Sequence, residues 1–272
     1  MNQLKRFYLI NSISLGPINF HLYGLIHGLA ILVGIWLSER KALQQGVKSE
    51  DWWRVAMLLL AGGLIGARLS YVGLNWSYYA RDWQQVWAIW QGGLNIVGGM
   101  VGSVLSLWLA NWLSFTKHLF KVKPVKVLDL AVFGLPFAQA LGRWGNFFNQ
   151  ELYGLPSQLP WAIYIAPEQR AAGYEKFATF HPLFLYESLL MLSFGFFVWG
   201  FSSGKDSVVK IGSGWWFLTY IIYYSIIRIL LEFIRINKTH LFSTNLSITQ
   251  GFLLIVLLVA LFMVIIRKIT KR

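Results

Sequence analysis

The chain has 272 residues, of which 56% are hydrophobic and only 13% charged, with a mean hydropathy of +0.53. A soluble domain carries roughly 25% charged residues, so a soluble fold is excluded. The net charge of +13 is no argument for nucleic acid, because the Lys and Arg residues sit in short loops between apolar runs rather than on one helical face.

The apolar runs have about the twenty residues needed to cross a bilayer core and predict an all-α integral membrane protein, one polytopic domain over residues 1–272. Seven transmembrane helices are expected at about 18–37, 55–74, 93–113, 127–142, 183–201, 215–234 and 248–266. The first is read as a retained span, since it runs into Trp36 and Glu39-Arg40 with no small-residue cleavage site. The fourth is short and holds Asp129 and Pro136. Pro is tolerated in a bilayer only where neighbours re-satisfy the freed carbonyl.

Glycines cluster in spans two and three: Gly62, Gly63, Gly66, then Gly92, Gly93, Gly98, Gly99 and Gly102. They fit either close helix packing or backbone approach to a headgroup, with Gly92-Gly93 offering N–H groups ahead of a helix. The loop over about 143–182 is expected as a small external cap between helices 4 and 5, with a short strand within Leu159–Ile165.

Basic residues set the orientation. Alternate loops and the C-terminal tail, including Arg40, Lys48, Lys126, Lys205 and Arg267, carry 14 Lys and Arg against 8 on the other side. The positive-inside rule places the N-terminus outside and the C-terminus in the cytoplasm. Anionic membrane lipids are the natural partners of the basic loops. With no cysteine in the chain, there is no disulfide framework, thiolate metal site or Cys nucleophile.

On this topology the costly polar residues converge on one leaflet. Tyr23, Arg68, Arg143, Asn146, Glu151, Glu187, Arg228, Glu232 and Arg235 all fall toward outer span ends. Ionisable groups at membrane depth mark sites. Arg228, Glu232 and Arg235 share a helix face at i, i+4 and i+7; this is either an orienting ion-pair ladder or an arginine held for an anionic ligand. Arginine suits bidentate contact with phosphate oxygens. Arg143 and Arg228 with the Asn146 amide would form a phosphate clamp, and a lipid headgroup is the anion found at that depth. Tyr186 and Glu187 are placed to hold the arginines. His21 and His27 read as packing or interface residues, and His118 and His240 as loop residues.

The densest polar run is Gly142-Arg143-Trp144-Gly145-Asn146-Phe147-Phe148-Asn149-Gln150-Glu151-Leu152-Tyr153-Gly154. This run resembles the signature of the bacterial phosphatidylglycerol–prolipoprotein diacylglyceryl transferase family. The resemblance extends through Tyr23-Gly24, Gly66-Ala67-Arg68, Gly98-Gly99, His181-Pro182 to Tyr186-Glu187, Arg228, Glu232-Phe233, Arg235 and Gln250. It implies a seven-helix enzyme of the bacterial cytoplasmic (inner) membrane. That enzyme moves the diacylglyceryl group of phosphatidylglycerol onto the lipobox Cys thiol that follows the signal peptide of a preprolipoprotein. Glycerol 1-phosphate is released, and neither metal nor cofactor is expected.

By that resemblance Arg143, Arg228 and Glu151 are the catalytic candidates. Tyr23, Arg68, Asn146, Gly154, Tyr186, Glu187, Glu232 and Arg235 are those for substrate binding. One departure stands out: family members place a His before the third-span glycines, where this chain has Val97. Either the arginine field lowers the thiol pKa, or Tyr23, Glu151 or Asn95 acting through water replaces the His, or the chain is a catalytically weak or inactive paralogue that binds anionic phospholipid. A lipid-binding or lipid-flipping protein and a solute transporter are the readings from other classes. The absence of an internal repeat weighs against the transporter.

Overall fold

The computed structural model describes residues 12–15, 18–113, 122–202, 209–236, 238–239, 244 and 246–269. His118 and His240, and Lys5, Arg6, Lys117, Lys121, Lys205, Lys271 and Arg272 of the charge tally, lie outside the described residues. The elements are strands β1 (Ser12–Leu15) and β2 (Ile18–His21), then helices α1 (Leu22–Gln44), α2 (Ser49–Leu74), α3 (Trp76–Tyr79), α4 (Ile96–Trp112), α5 (Pro124–Ala131) and α6 (Leu135–Phe148). Strands β3 (Ile163–Tyr164) and β4 (Thr179–Phe180) follow, then helices α7 (Leu183–Ser202), α8 (Trp215–Phe233) and α9 (Ile248–Ile269).

Five of these helices, α1, α2, α7, α8 and α9, are long and apolar enough to cross a membrane. The fourth expected span is two helices, α5 and α6, which together pass as one broken span and raise the count to six. The break at residues 132–134 precedes Pro136, and Pro136 sits in the first turn of α6, where its missing N–H costs nothing. Helix α4, the third expected span, has 17 residues, about 25 Å at 1.5 Å per residue.

The first span also starts later than expected. Ile18–His21 pairs antiparallel with Ser12–Leu15, so the helix begins only at Leu22. Ser12-Ile13-Ser14-Leu15 and Ile18-Asn19-Phe20-His21 alternate polar and apolar about Gly16-Pro17, which is a hairpin pattern.

The described residues form two compact units, Glu39–Leu130 and Met1–Ser38 with Ala131–Arg272. In the Glu39–Leu130 unit, α2 and α4 pack antiparallel through their glycines. A β-carbon on Gly66 would stand 2.4 Å from the Gly98 carbonyl oxygen and 2.7 Å from the Gly102 Cα. Ser103 and Ser106 hydroxyls donate to the Leu59 and Leu58 carbonyls at 2.9 and 3.3 Å. Packing therefore accounts for Gly62, Gly63, Gly66, Gly98, Gly99 and Gly102. Gly66→Ala is expected to cost about 1–3 kcal/mol, the usual range for overpacking, seen as earlier unfolding of the detergent-solubilised protein. Wild-type stability would show that the two backbones do not meet this closely. Asn95 caps α4 by accepting from the Val97 and Gly98 amides.

In the other unit, α1 runs antiparallel to α6. Gly34 lies against Gly134 and Ala138 at one end, and His27 against Gly142 and Gly145 at the other. Successive antiparallel contacts join α6 to α7, α7 to α8 and α8 to α9, through Ser188 to the Ala140 carbonyl (2.9 Å), Tyr223 to the Leu190 carbonyl (2.8 Å) and Gln250 to the Ile229 carbonyl (3.3 Å). One buried cluster, Val132, Phe133, Phe194, Val198, Trp216 and Tyr220, fills the end of these helices away from Arg143. A second, with Ala140, Leu183, Met191, Ile227 and Leu231, lies nearer it.

The segment after α6 is folded rather than slack. β3 pairs with β4, inside the stretch expected to hold a strand. Tyr153, Ile165 and Phe180 form its buried core. The Tyr153 hydroxyl donates to the Gln169 carbonyl and accepts from the Ala171 amide, both at 2.7 Å. Burial pushes its pKa up.

Candidate functional site

A charged network occupies one end of the α6–α9 bundle. Its centre is Glu187, one turn into α7 and 2% exposed. Arg143, from the last turns of α6, donates through Nη2 to Glu187 Oε1 at 2.6 Å. Arg228 of α8 donates through Nη1 to Glu187 Oε2 at 3.1 Å and through Nη2 to Glu232 Oε2 at 3.3 Å. Arg235 joins Glu232 Oε2 at 3.3 Å. On α8 itself the ion pair is Arg228–Glu232, which Arg235 joins from beyond the helix end, and Glu187 links Arg143 to Arg228 across helices by giving one oxygen to each.

A second arm runs from Arg143. Its Nη1 donates to Asn146 Oδ1 at 3.3 Å, and Asn146 Nδ2 donates to Glu151 Oε1 at 2.7 Å. Glu151 is flanked by two non-glycine residues in the left-handed region, Gln150 (φ 51°) and Leu152 (φ 55°). Such backbone is held only where its surroundings over-determine it. Here the buried Gln150 side chain accepts from the Ala166 amide at 2.7 Å.

Ser247 and Tyr224 support the network without a place among the sequence candidates, and His27 packs as its sequence reading expects. Ser247 donates to Glu232 Oε1 at 3.1 Å and accepts from the Gln250 amide at 3.1 Å, while Gln250 Oε1 accepts from the Ser247 amide at 2.9 Å. This is a capping box at the start of α9, legible in the sequence as Ser-x-x-Gln; Gln250 was singled out, but Ser247 was not. Tyr224 places its hydroxyl as a hydrogen-bond partner of Arg143, and its signal was the i, i+4 spacing to Arg228. His27 stacks on Tyr23 with ring centroids 4.1 Å apart. A β-carbon on Gly145 would meet that pair at 2.6 Å (His27 Cε1) and 3.3 Å (Tyr23 Cδ2).

Other expected residues have different surroundings. Tyr186 accepts from Trp161 Nε1 at 2.9 Å and lies 3.0 Å from His181 Nδ1, not against an arginine. Gly154 forms an isolated bridge with Arg235, and its β-carbon would lie 2.9 Å from the Ile234 carbonyl oxygen, so close chain approach requires glycine there. Arg68 belongs to the Glu39–Leu130 unit. Its guanidinium binds four backbone carbonyls, those of Gln85, Val86, Gly92 and Gly93, at 2.5 to 3.0 Å. The Gly92-Gly93 backbone thus presents carbonyls to an arginine, and the Gly92 amide is taken by the Ile89 carbonyl at 3.2 Å. Arg68 also borders a cavity with Tyr71, Asn75, Tyr78, Tyr79 and Gln85.

The cleft among Arg143, Asn146, Leu152, Phe184, Glu187, Arg228 and Arg235 is too narrow for more than a water-sized guest. The buried Arg235 Nε has no partner among the described residues. Also among the described residues, no three His, Asp or Glu side chains converge as metal ligands. Three guanidiniums and three carboxylates balance in charge.

A multi-pass membrane protein with half-buried arginines paired to buried carboxylates at one end of its helices is a class suited to acidic headgroups. The chain belongs to the prolipoprotein diacylglyceryl transferase family, whose model matches residues 11–266. It is similar to the phosphatidylglycerol–prolipoprotein diacylglyceryl transferase of Fervidobacterium nodosum, at 37% identity over 82% of this chain and 74% of that protein. It is similar also to those of Trichormus variabilis, at 35% over 83% and 78%, and Thermosynechococcus vestitus, at 34% over 84% and 81%.

Proposed function

We propose that the chain transfers the diacylglyceryl group of phosphatidylglycerol to the lipobox Cys thiol of a preprolipoprotein, releasing glycerol 1-phosphate, as the first step of lipoprotein maturation. The observation that carries the reading is Glu187 holding Arg143 on one oxygen and Arg228 on the other. Family membership supports it independently.

The chemistry follows from the leaving group. As the glycerol carbon–oxygen bond breaks, negative charge grows on the phosphate. Arg143 and Arg228 stabilise that charge more than they stabilise the intact diester, and this difference is what lowers the barrier. The headgroup enters by widening the cleft and competing with Glu187 for guanidinium donors. Asn146 positions Arg143. Glu151 orients the Asn146 amide and is the carboxylate of the site nearest in sequence to it. Glu232 holds Arg228 and Arg235, while Tyr23, Tyr186 and Gly154 shape the lipid and peptide paths; Arg68, in the Glu39–Leu130 unit, is a separate substrate-binding candidate.

The topology proposed with this function has seven spans, α4 supplying the one that falls short by length. The bacterial inner membrane holds the protein with its N-terminus outside and its C-terminus cytoplasmic, and the 143–182 segment is the external cap. This puts the cluster in the outer half of the bilayer, where a secreted lipobox arrives.

The test mixes purified protein, phosphatidylglycerol and a lipobox peptide, and follows peptide mass and released glycerol phosphate. A diacylglyceryl mass gain with matching phosphate release is expected; lipid bound but not consumed would overturn transfer. One observation favours that second reading, a phospholipid-binding paralogue: the Val97 position. Val97→His is expected to leave transfer equal or faster, because Val97 neither donates nor accepts through its side chain. A fall below a tenth of the wild-type rate would sink that expectation.

A further inference from the structure

We propose that His27 accepts the thiol proton, with Nε2 as the basic atom; the inference rests on the transfer reading above. His27 Nδ1 lies 2.8 Å from the Tyr23 carbonyl oxygen. That oxygen can only accept, so Nδ1 carries the hydrogen, and in the neutral ring the lone pair falls to Nε2. Nε2 has no hydrogen-bond partner among the described residues. It stands 3.8 Å from where a Gly142 β-carbon would be, while Cε1 stands 2.6 Å from that of Gly145. The imidazole thus packs against the glycine face of α6, which also carries Arg143 toward Glu187 of α7.

The surroundings suit a proton acceptor. Tyr23 stacks on one face of the ring and fixes its plane. Tyr23 is within electrostatic range of Glu151 and Arg143, the charged groups that α6 and the turn after it bring toward the pair. Glu187 and Glu232 are each engaged by two arginines, and Glu151 by Asn146. Imidazole is the side-chain type most often used as a general base, and His27 Nε2 is not taken up by these pairs.

The step balances. The thiol proton passes to Nε2, sulfur forms the bond to the glycerol carbon, and that carbon's bond to the phosphate oxygen breaks. The electron pair leaves with glycerol 1-phosphate, and the imidazolium returns its proton to water or to that product.

The experiment measures transfer by wild type and His27→Asn from pH 6 to 9. Asn keeps a donor at the Nδ1 position and removes Nε2. The variant is expected to lose about 10²–10⁴-fold near pH 7, the usual worth of a general base, and the gap should close as the thiol ionises by itself near ~8.5. A gap equal at every pH means a structural role and overturns the proposal, as does an unchanged rate. If His27→Asn melts early in detergent, His27→Gln is read by the same pH criterion. Wild type that consumes no lipid would instead sink the transfer reading.

Discussion

Arg143→Ala is expected to reduce diacylglyceryl transfer by at least about 10²–10³-fold, the loss seen when one preorganised donor to a developing anion is removed. Two effects act in the same direction. The phosphate loses a guanidinium, and Glu187 Oε1 loses its partner at 2.6 Å, leaving a buried carboxylate oxygen beside the place where anionic charge must grow. The Asn146 amide also loses its anchor on Arg143 and with it the link from Arg143 to Glu151. Arg143→Lys is expected to recover only part of the rate, since an ammonium keeps the charge without the planar fork. Peptide mass and glycerol phosphate release, followed together, read the effect. Normal turnover by the alanine variant would end the phosphate-clamp explanation.

Glu187→Ala is expected to be the most destabilising single change in the cluster, by about 3–5 kcal/mol, the cost of removing one partner from a buried ion pair. The reason is geometric. One carboxylate serves Arg143 and Arg228, so its loss leaves two guanidiniums short of a counter-charge. Arg228 keeps Glu232; Arg143 keeps only amide and hydroxyl partners. Unfolding in detergent, monitored with Glu187→Gln alongside, checks this. The glutamine variant should fall between, since it retains shape and one acceptor. An alanine variant as stable as wild type would mean that Glu187 does not organise the helix ends.

Arg228 and Glu232 were legible as one face because helical spacing is local, whereas Arg235 lies past the end of α8 at Phe233 and reaches Glu232 from its bridge with Gly154. Glu187 was legible as a costly charge placed to hold the arginines; which oxygen serves Arg143 and which Arg228 was not, since those three residues come from three helices. The Tyr23–His27 stack was hidden for the same kind of reason. At i, i+4 the two share a face, yet only the approach of Gly145 shows what lies against it. Arg68 looked like a further anion ligand, because a lone arginine in an apolar run carries no mark of its partners; four backbone carbonyls hold it. The hairpin before α1 and the Ser247–Gln250 box had local signatures that the apolar run lengths overshadowed.

By itself the sequence determined that this chain lives in a membrane, which apolar runs form its helices, and which polar side chains pay to be there. Those follow from transfer free energy and helix periodicity, which act on neighbouring residues. Only the tertiary structure decided which charges meet. It joined Arg143 to Arg228 through Glu187, assigned the α2 and α4 glycines to packing, broke the fourth span ahead of Pro136, and set His27 against the glycine face of α6. Such contacts depend on the register between helices distant in sequence, and no local pattern encodes that register.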